Sequence, residues 1–449
     1  MDIDFRVAKL ARWLSFLAGL IIVLLPFHEF LAVWLGSNIG HLDLIRIWKE
    51  ILLAVMAAPV GWLAWRAPSL RTWILKSWIF RLYAVYILLH LTVGWWSLST
   101  HQVNRVSLIY ALLINLRFIG FFFICLVLAA YNSWLKNNWI RLVVWPSGIV
   151  IVFALLQRLV LPYDFLKHFG YGPSTIPAYQ TVDANLSYQR VQSTLRGANP
   201  LGAYLALIVS AVVINLKKNR NLKTLLLLAA LLAMFYTYSR SAWVGLVLSL
   251  ATLAYLAIKK LDRRLIYAVL AVVIVAGVGL FIFRNTQSVQ DTLLHTSASS
   301  HKQSSNAARN SAIEQGVKDV YHQPLGRGPG TAGPASFRNS GHPARIAEDY
   351  YLQIGQEVGL EGLAVFLAIN LLVAWQLWQR RADNLAKILL ASLVGISFIN
   401  LVSHAWADDT LSLLWWGLAG IACAPVILKS KNKHYGKNQP KSPLARPVR

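Results

Sequence analysis

Long apolar runs recur along most of this sequence, and they constrain the fold more than any other feature. Several approach the roughly 20 residues with which a helix crosses a hydrocarbon core. The chain of 449 residues is 57% hydrophobic and 14% charged, with a mean hydropathy of +0.51. A soluble protein of this length needs more charged side chains to cover its surface. The sequence therefore predicts an all-α, polytopic membrane protein.

Twelve of these runs are candidate membrane-spanning helices. They lie near residues 10–35, 46–66, 78–98, 106–130, 140–160, 200–216, 222–238, 240–258, 264–283, 350–377, 386–404 and 410–428. The chain then divides into five N-terminal spans (1–160), a loop (161–199), four spans (200–283), a large loop (284–349), three spans (350–428) and a basic tail (429–449). Loops this long tend to be functional or disordered, so any chemistry is expected on the face that carries them.

Basic residues are spread unevenly between the connections. The net charge is +25, and most of the 43 Lys and Arg fall in cytoplasmic segments if the N-terminus is cytoplasmic. This is the distribution that the positive-inside rule requires. The charge therefore indicates membrane orientation rather than a nucleic-acid partner. We expect both termini in the cytoplasm and both long loops on the outer face.

Three arginines lie beside apolar runs on the expected outer face. The segment LSYQRVQSTLRGANPLGAYLAL contains Arg190 and Arg196, and FYTYSRSAWVGLVL places Arg240 in a short turn. An arginine at the edge of the hydrocarbon core is costly unless it reaches water, a headgroup or an anionic ligand. Its planar guanidinium suits phosphate oxygens. Each arginine is therefore either a snorkelling interfacial residue or a ligand for an anion.

Two carboxylates, Glu348 and Asp349, precede the apolar run YYLQIGQEVGLEGLAVF. Acids in the first turn of a helix are stabilised by its macrodipole, by roughly 0.3–1 kcal/mol each. A carboxylate at a membrane–water boundary can also have a raised pKa and act as a general base. Helix capping and catalysis both remain open for this pair.

The segment PLGRGPG, which contains Gly328, is rich in glycine. It lacks the Gly-Lys-Ser/Thr ending of a nucleotide P-loop, so it is a weak candidate for a phosphate cradle. It is either a plain loop turn or a sharp turn that places its backbone near a ligand.

Charged residues also occur within the runs. Arg117 lies in the middle of one predicted span, and Lys49 and Glu50 lie near the end of another. A mid-bilayer arginine costs about 2.5–3.5 kcal/mol on insertion scales, so Arg117 should face the bundle interior. These residues are either ionic partners that hold helices together or part of a pore or proton relay.

Four stretches, taken in order, resemble segments of the O-antigen ligase and polymerase superfamily of bacterial membrane glycosyltransferases. RVQSTLRGANPLGAYLA is similar to the family's Arg-x-x-Gly-Thr-Phe-x-Asn-Pro-Asn segment, and TYSRSAWVGLVL to its Thr-x-Ser-Arg-Gly/Ala helix start. ARNSAIEQGVKDVYHQPLGRGPG resembles its Arg…Pro-Leu-x-Gly-x-Gly-Pro-Gly stretch. EDYYLQIGQEVGLEGLAVF resembles its His/Glu-Asn-x-Tyr-Leu-Gln…Gly-Leu-x-Gly helix. The resemblance covers roughly residues 185–425.

This resemblance implies transfer of a glycan from an undecaprenyl-diphosphate carrier to an acceptor hydroxyl, on the periplasmic face of the bacterial inner membrane. No cofactor, metal or nucleotide sugar is expected. The acceptor is either lipid A–core, for an O-antigen ligase of lipopolysaccharide biosynthesis, or a growing lipid-linked glycan, for an O-antigen or exopolysaccharide polymerase. A lipid-glycan transporter or flippase is the rival from another class, and it predicts inverted repeats that the sequence does not display.

The resemblance also implies roles for individual residues. Arg190 and Arg240 would hold the diphosphate, and Glu348 would be the general base, with His342 as the rival base. Characterised ligases usually carry His and then Asn where this chain has Glu348 and Asp349, whereas some relatives, polymerase-like ones among them, carry Glu at the first of these positions. The remaining expected substrate-binding residues are Arg196, Arg309, Asp349, Gly328 and Tyr351, the last a tyrosine that either contacts sugar or belongs to the interfacial aromatic belt.

Overall fold

The computed structural model of this chain describes residues 5–182, 185–215, 220–257 and 305–425. Most of these residues are helical, which confirms the all-α membrane class. The predicted span at 264–283, the start of the second long loop up to residue 304, and the basic tail at 429–449 lie outside the described residues.

The helices follow one another with short connections in the first third of the chain and longer ones later. They are α1 (Phe5–Leu24), α2 (His28–Ile39), α3 (Leu42–Arg46), α4 (Trp48–Arg66), α5 (Pro68–Lys76), α6 (Trp78–Ser99), α7 (Arg105–Tyr131), α8 (Trp134–Leu159), α9 (Ala198–Ile214), α10 (Arg220–Tyr236), α11 (Arg240–Ala257), α12 (Ser305–His322), α13 (Tyr350–Gln379), α14 (Asn384–Asn400) and α15 (Asp409–Cys423). Short 3-10 turns occur at Leu25–Phe27, Phe165–Phe169, Gly333–Arg338 and Ala405–Ala407.

Five helical segments in the described part of the chain are long and apolar enough to cross a membrane. They are Phe5–Ile39, Trp78–Ser99, Arg105–Tyr131, Trp134–Leu159 and Tyr350–Gln379. A sixth results if α4 and α5 form one span, although they meet at a bend of 102°. That bend lies where Pro68 follows Ala67, because a residue before proline is disfavoured in the helical region. Five further apolar helices have 10–17 residues, so the count of twelve spans stays a prediction.

The loop predicted at 161–199 contains a small β-ribbon that the sequence did not indicate. Strand β1 (Gln180–Val182) pairs antiparallel with β2 (Asn185–Arg190), and Gln180 lies opposite Arg190. The Gln180 side chain also accepts a hydrogen bond from the backbone N–H of Ala198 at 3.0 Å, at the start of α9. The ribbon therefore fixes the backbone of Arg190 relative to α9.

Small residues allow the central helices to approach closely. A Cβ atom added at Gly420 of α15 would lie 2.3 Å from the carbonyl oxygen of Phe122 in α7. A Cβ atom at Gly395 of α14 would lie 2.1 Å from the carbonyl oxygen of Gly245 in α11. Such contacts are typical of helix packing in membranes, where small residues let the backbones approach and van der Waals contact, rather than the hydrophobic effect, drives association.

Several connections meet at one end of the bundle. Thr194 Oγ1 donates a hydrogen bond to the carbonyl of Pro26 at 2.7 Å. Thr410 Oγ1 donates to the carbonyl of Leu25 at 3.0 Å. We call this meeting point the loop end; it comprises residues 25–27, 191–197 and 401–410.

Helix α13 is broken at Gly359, which has φ +77° and ψ −177°. The break leaves carbonyl groups of the preceding turn without helical partners. The carbonyls of Gln356 and Glu357 instead accept hydrogen bonds from the backbone N–H groups of Arg327 and Gly328, at 2.9 and 2.8 Å. The PLGRGPG segment is thereby fastened to α13.

Candidate functional site

Glu348 and Asp349 have different roles in the structure. Asp349 is the N-cap of α13: its Oδ1 accepts a hydrogen bond from the N–H of Leu352 at 2.9 Å. Asp349 is buried, and burial raises the pKa of its carboxyl above the ordinary value. Glu348 makes no such cap; its side chain is 41% exposed and its backbone has φ +56°. Helix capping therefore accounts for Asp349, whereas Glu348 has a strained backbone and an accessible side chain.

Two side chains with unpaired nitrogens lie near the Glu348 carboxylate. Arg309 Nη2 is 3.4 Å from Glu348 Oε2, and Arg309 Nε is buried without a hydrogen-bond partner among the described residues. His404 Nε2 is likewise buried and unpartnered within that part of the chain. Burial lowers the pKa of His404 to about 4, although the Glu348 carboxylate acts in the opposite direction. His404 is thus a neutral imidazole at neutral pH, and its ring lies within electrostatic range of the Glu348 carboxylate.

Arg190 is anchored by the turn that precedes Arg240. Its Nε donates to the carbonyl of Thr237 at 2.8 Å, and its Nη2 donates to Asn199 Oδ1 at 2.5 Å. Arg240 is the first residue of α11, two residues after Tyr238, whose φ is +49°. Both arginines are half-buried. The structure therefore brings these two predicted cations to one turn.

Arg196 lines a different cavity. Its side chain is exposed to a cleft that Glu29, Arg46, Tyr110 and Asp409 also line. Inside this cleft the surrounding protein removes part of the water around the guanidinium, which works to lower the pKa of Arg196, but Glu29 and the other nearby acidic groups more than offset this, so the pKa is raised. Arg196 therefore remains a cation that faces open space at the loop end.

Arg117 belongs to a buried ionic network beneath this cavity, which confirms its interior position. Its Nη1 donates to Glu50 Oε1 at 3.0 Å, and its Nη2 pairs with Asp409. Lys49 Nζ lies 3.1 Å from Glu50 Oε2 and 2.6 Å from Asp409 Oδ2. Each cation contacts both carboxylates, so the network holds the starts of α4 and α15 against α7. The sequence left two roles open for these residues, and these contacts are those of ionic partners that hold helices together.

The same network contains a group of potential metal ligands. His28, Glu29 and Asp409 offer ligand atoms that all lie within 4.8 Å of one another. Lys49 Nζ lies 3.1 Å from His28 Nε2 and within hydrogen-bonding distance of Asp409. The Lys49 ammonium group therefore occupies the position beside His28 and Asp409 that a metal ion would need, and Glu29 lies 3.7 Å from Arg46 Nε.

The PLGRGPG segment uses its backbone donors inside the protein. The buried Glu357 carboxylate accepts hydrogen bonds from the N–H of Gly330 and from Asn115 Nδ2, both at 2.7 Å. Gly328 is buried with φ +107°, and a Cβ atom there would lie 2.2 Å from the Ser97 side chain. The segment is a sharp turn closed around a carboxylate of α13, and its amide groups are engaged there.

The last two predicted residues make contacts of their own. His342 is exposed, and its Nε2 lies 3.2 Å from the carbonyl oxygen of His101. Tyr351 is half-buried, and its hydroxyl donates to the carbonyl of Ser397 at 3.4 Å. His342 also lines a second pocket, together with Arg327 and Arg345.

Comparison with known proteins found a family that matches the part of the chain containing most of the predicted site residues. Residues 224–367 match a family model described as O-antigen ligase. This segment is similar to the O-antigen ligase family. This confirms the resemblance over about a third of the sequence and supports a membrane glycosyltransferase-like role. A search of curated proteins found no match.

The family-matched segment contains Arg240, Arg309, the PLGRGPG segment and Glu348, whereas Arg190 and Arg196 precede it. The contacts described above form two groups, one around Glu348 and one around the turn before Arg240. Helix α14 connects them: its Ile399 packs against Gly245 of α11, and the connection that follows it carries His404.

Sequence reasoning missed three polar residues in and beside the family-matched segment: His404, Asp319 and Arg345. His404 stands alone in LVSHAWADD, between two apolar runs, and this was its only sequence signal. Asp319 lies within the stretch ARNSAIEQGVKDVYHQPLGRGPG but was not singled out there, and Arg345 lies further along the same loop, outside the four family-like stretches. Their proximity to other polar groups depends on how that loop folds back onto α13.

Proposed function

We propose that the chain is a membrane glycosyltransferase that moves a glycan from undecaprenyl diphosphate to an acceptor hydroxyl, as an O-antigen ligase or a closely related polymerase. One observation carries this proposal. Within the family-matched segment, Glu348 presents an accessible carboxylate from a left-handed backbone, 3.4 Å from Arg309 Nη2. Strained polar residues of this kind cluster at functional sites.

In the proposed reaction Glu348 is the general base. It accepts the proton of the acceptor hydroxyl while the oxygen attacks the anomeric carbon of the donor sugar. The bond between that carbon and the phosphate oxygen breaks, and the diphosphate leaves with the electron pair. Arg190 and Arg240 would neutralise the negative charge that grows on the leaving group, and Arg309 would orient the Glu348 carboxylate.

The proposed location follows from the charge distribution. The enzyme would lie in the bacterial inner membrane with both termini cytoplasmic, twelve spans, and the loop end facing the periplasm. Its partners would be the lipid-linked donor, lipid A–core or a lipid-linked glycan as acceptor, and the surrounding lipids. This topology puts Arg190, Arg240 and Glu348 on the side where lipid-linked glycans are presented to acceptors.

The test is reconstitution of the purified full chain with an undecaprenyl-diphosphate glycan and, separately, each candidate acceptor, followed by sizing of the products. Glu348→Gln, Arg190→Ala and Arg240→Ala should reduce transfer at normal membrane levels, by about 10²–10⁴-fold for the base. Glu314→Gln is the matched control, because Glu314 is an exposed carboxylate of the same loop and pairs only with Lys318 in the described structure.

The products also decide the acceptor. A ladder of lengthened lipid-linked chains identifies a polymerase, and a single capped acceptor identifies a ligase. Full transfer by all three variants would end the catalytic assignment.

A further inference from the structure

A second polar pocket lies beside the PLGRGPG turn. Its volume is about 250 Å³, and it is lined by Gln102, Gln323, Arg327, Thr331, His342 and Arg345. Pockets for drug-sized ligands are usually about 300–1,000 Å³, so this one suits a single sugar or a smaller group. Its lining contains two arginines and no carboxylate.

The two arginines share one buried carboxylate behind the pocket. Arg327 Nη2 lies 3.0 Å from Asp319 Oδ1, and Arg345 Nε lies 3.7 Å from Asp319 Oδ2. Asp319 is 5% exposed and also accepts hydrogen bonds from Gln315 and Gln356. One negative charge therefore faces two positive charges, which leaves a surplus cation in the pocket.

Burial and the neighbouring Arg327 both lower the pKa of Arg345 from its ordinary value, and Asp319 only partly opposes them. An anion beside Arg345 would relieve this repulsion. Arg327 Nε is also buried and has no hydrogen-bond partner in the described ranges. Both observations indicate that the guanidinium groups are not fully satisfied by the protein.

The backbones of both arginines are held in place. The N–H of Arg327 donates to the carbonyl of Gln356 at 2.9 Å, and its carbonyl accepts from Ser97 Oγ at 2.6 Å. The N–H of Arg345 donates to Ser336 Oγ at 3.1 Å. A site whose donors are already positioned loses less entropy on binding.

We propose that this pocket binds one oxyanion group, a carboxylate or a phosphate, carried by a small sugar. Arg345 supplies the main charge, Arg327 a second one, and the glutamines, Thr331 and His342 hydrogen-bond the sugar hydroxyls. Only the assignment of that sugar to the transferred glycan rests on the proposed function. The binding chemistry itself does not.

Binding would be measured on the purified full chain in detergent, by titration with galacturonate, galactose and inorganic phosphate. Galacturonate should bind at least about tenfold more tightly than galactose, because it adds a charge-assisted contact to Arg345. Arg345→Ala should abolish that difference and Arg345→Lys should keep part of it. The 3.0 Å pair between Arg327 and Asp319 remains in both variants, which protects the fold.

Arg338→Ala is the matched control, because Arg338 is an arginine of the same loop that pairs with Asp43 at 2.6 Å. It should leave galacturonate binding unchanged. Displacement of galacturonate by phosphate would extend the site to phosphorylated sugars, and no displacement would restrict it to acidic sugars; either result supports an oxyanion site. Equal binding of galactose and galacturonate, or unchanged binding in Arg345→Ala, overturns it.

The two proposals fail separately. If glycan transfer survives in Glu348→Gln while galacturonate still binds through Arg345, the proposed function is wrong and the pocket stands. If transfer depends on Glu348 but galacturonate does not bind, the pocket assignment is wrong and the function stands.

Discussion

Arg309 Nη2 lies 3.4 Å from the carboxylate of Glu348, a residue whose own backbone is left-handed. A half-exposed ion pair of this kind contributes about 0–1 kcal/mol. A residue with a side chain in a sparsely populated backbone region costs on the order of 1–3 kcal/mol. The ion pair therefore stabilises the fold by less than the backbone strain costs, and the chemistry proposed for the Glu348 carboxylate explains its conformation better.

Replacement of Glu348 by Gly separates stability from activity. Glycine adopts the left-handed region without strain, so Glu348→Gly should keep or raise the melting temperature in detergent. The same variant should lose glycan transfer by about 10²–10⁴-fold, because the proposed general base is removed. Thermal unfolding and the reconstituted transfer assay measure the two effects.

Glu348→Gln completes that comparison, since it retains the strain and removes only the charge. It should lose transfer like the glycine variant. A melting temperature that falls in Glu348→Gly, together with full transfer in both variants, would show that Glu348 has a structural role only.

Gly328 of the PLGRGPG turn and Gly341 of the same loop form a matched pair of glycines. Gly328 has φ +107°, and a Cβ atom there would overlap the Ser97 side chain. Gly341, in the same loop, has φ +88° with open space around the Cβ position. Gly341→Ala should cost about 1 kcal/mol of unfolding free energy from backbone strain alone, and Gly328→Ala should cost distinctly more. Equal melting temperatures for the two variants would contradict this packing.

A substitution at Ser97 tests the contact between Ser97 and position 328 by changing the other partner. Ser97→Gly removes the atoms that a Cβ at position 328 would meet, so it should recover part of the stability lost in Gly328→Ala. It should not recover the smaller loss in Gly341→Ala.

The sequence was most informative where the governing physics is local or concerns burial. The cap at Asp349 follows from its place before an apolar helical run, and the interior position of Arg117 follows from the cost of a lipid-exposed charge. The apolar runs likewise indicated the membrane class. Each of these needs knowledge of only a short stretch of chain.

The remaining features depend on contacts between residues far apart in sequence. Ser97 meets Arg327, and Asn115 meets Glu357, which no local pattern indicates. The PLGRGPG segment forms a sharp turn because of such contacts, and a ligand beside its backbone stays a prediction. His404 was missed for the same reason, because its burial and its proximity to Glu348 arise only when the α14–α15 connection folds over α13.

The buried ionic network predicts a large effect of single charge removal. Arg117→Leu leaves Glu50 and Asp409 short of a partner in a buried site, and such losses cost about 3–5 kcal/mol. We expect poor yield and a strongly lowered melting temperature. Lys136→Ala is the control: its pair with Asp383 is exposed and should contribute at most about 1 kcal/mol. Similar melting temperatures for both variants would contradict the network.

Asp408 predicts a pH-dependent stability of defined sign. It is buried at the N-terminus of α15, where its Oδ1 accepts a hydrogen bond from the N–H of Leu411 at 3.0 Å. Burial raises the pKa of its carboxyl from 3.8 to about 6, with the charges of Asp409 and Glu29 adding to the effect. The protonated form is therefore favoured in the folded protein. Its contribution to stability is fully present below the unfolded pKa of 3.8 and is lost as the pH rises through about 6.

Asp408→Asn keeps the helix cap and removes the ionisation. The variant should match the wild-type melting temperature near pH 4 and exceed it increasingly up to about pH 6. Above that pH the difference in unfolding free energy between the variant and the wild type should level off, on the order of 3 kcal/mol for a pKa shift of this size. Asp408→Ala should follow the same pH profile about 1 kcal/mol lower, because it also loses the cap. A gap that stays constant across this range would mean that Asp408 is ionised in the folded protein as readily as in water.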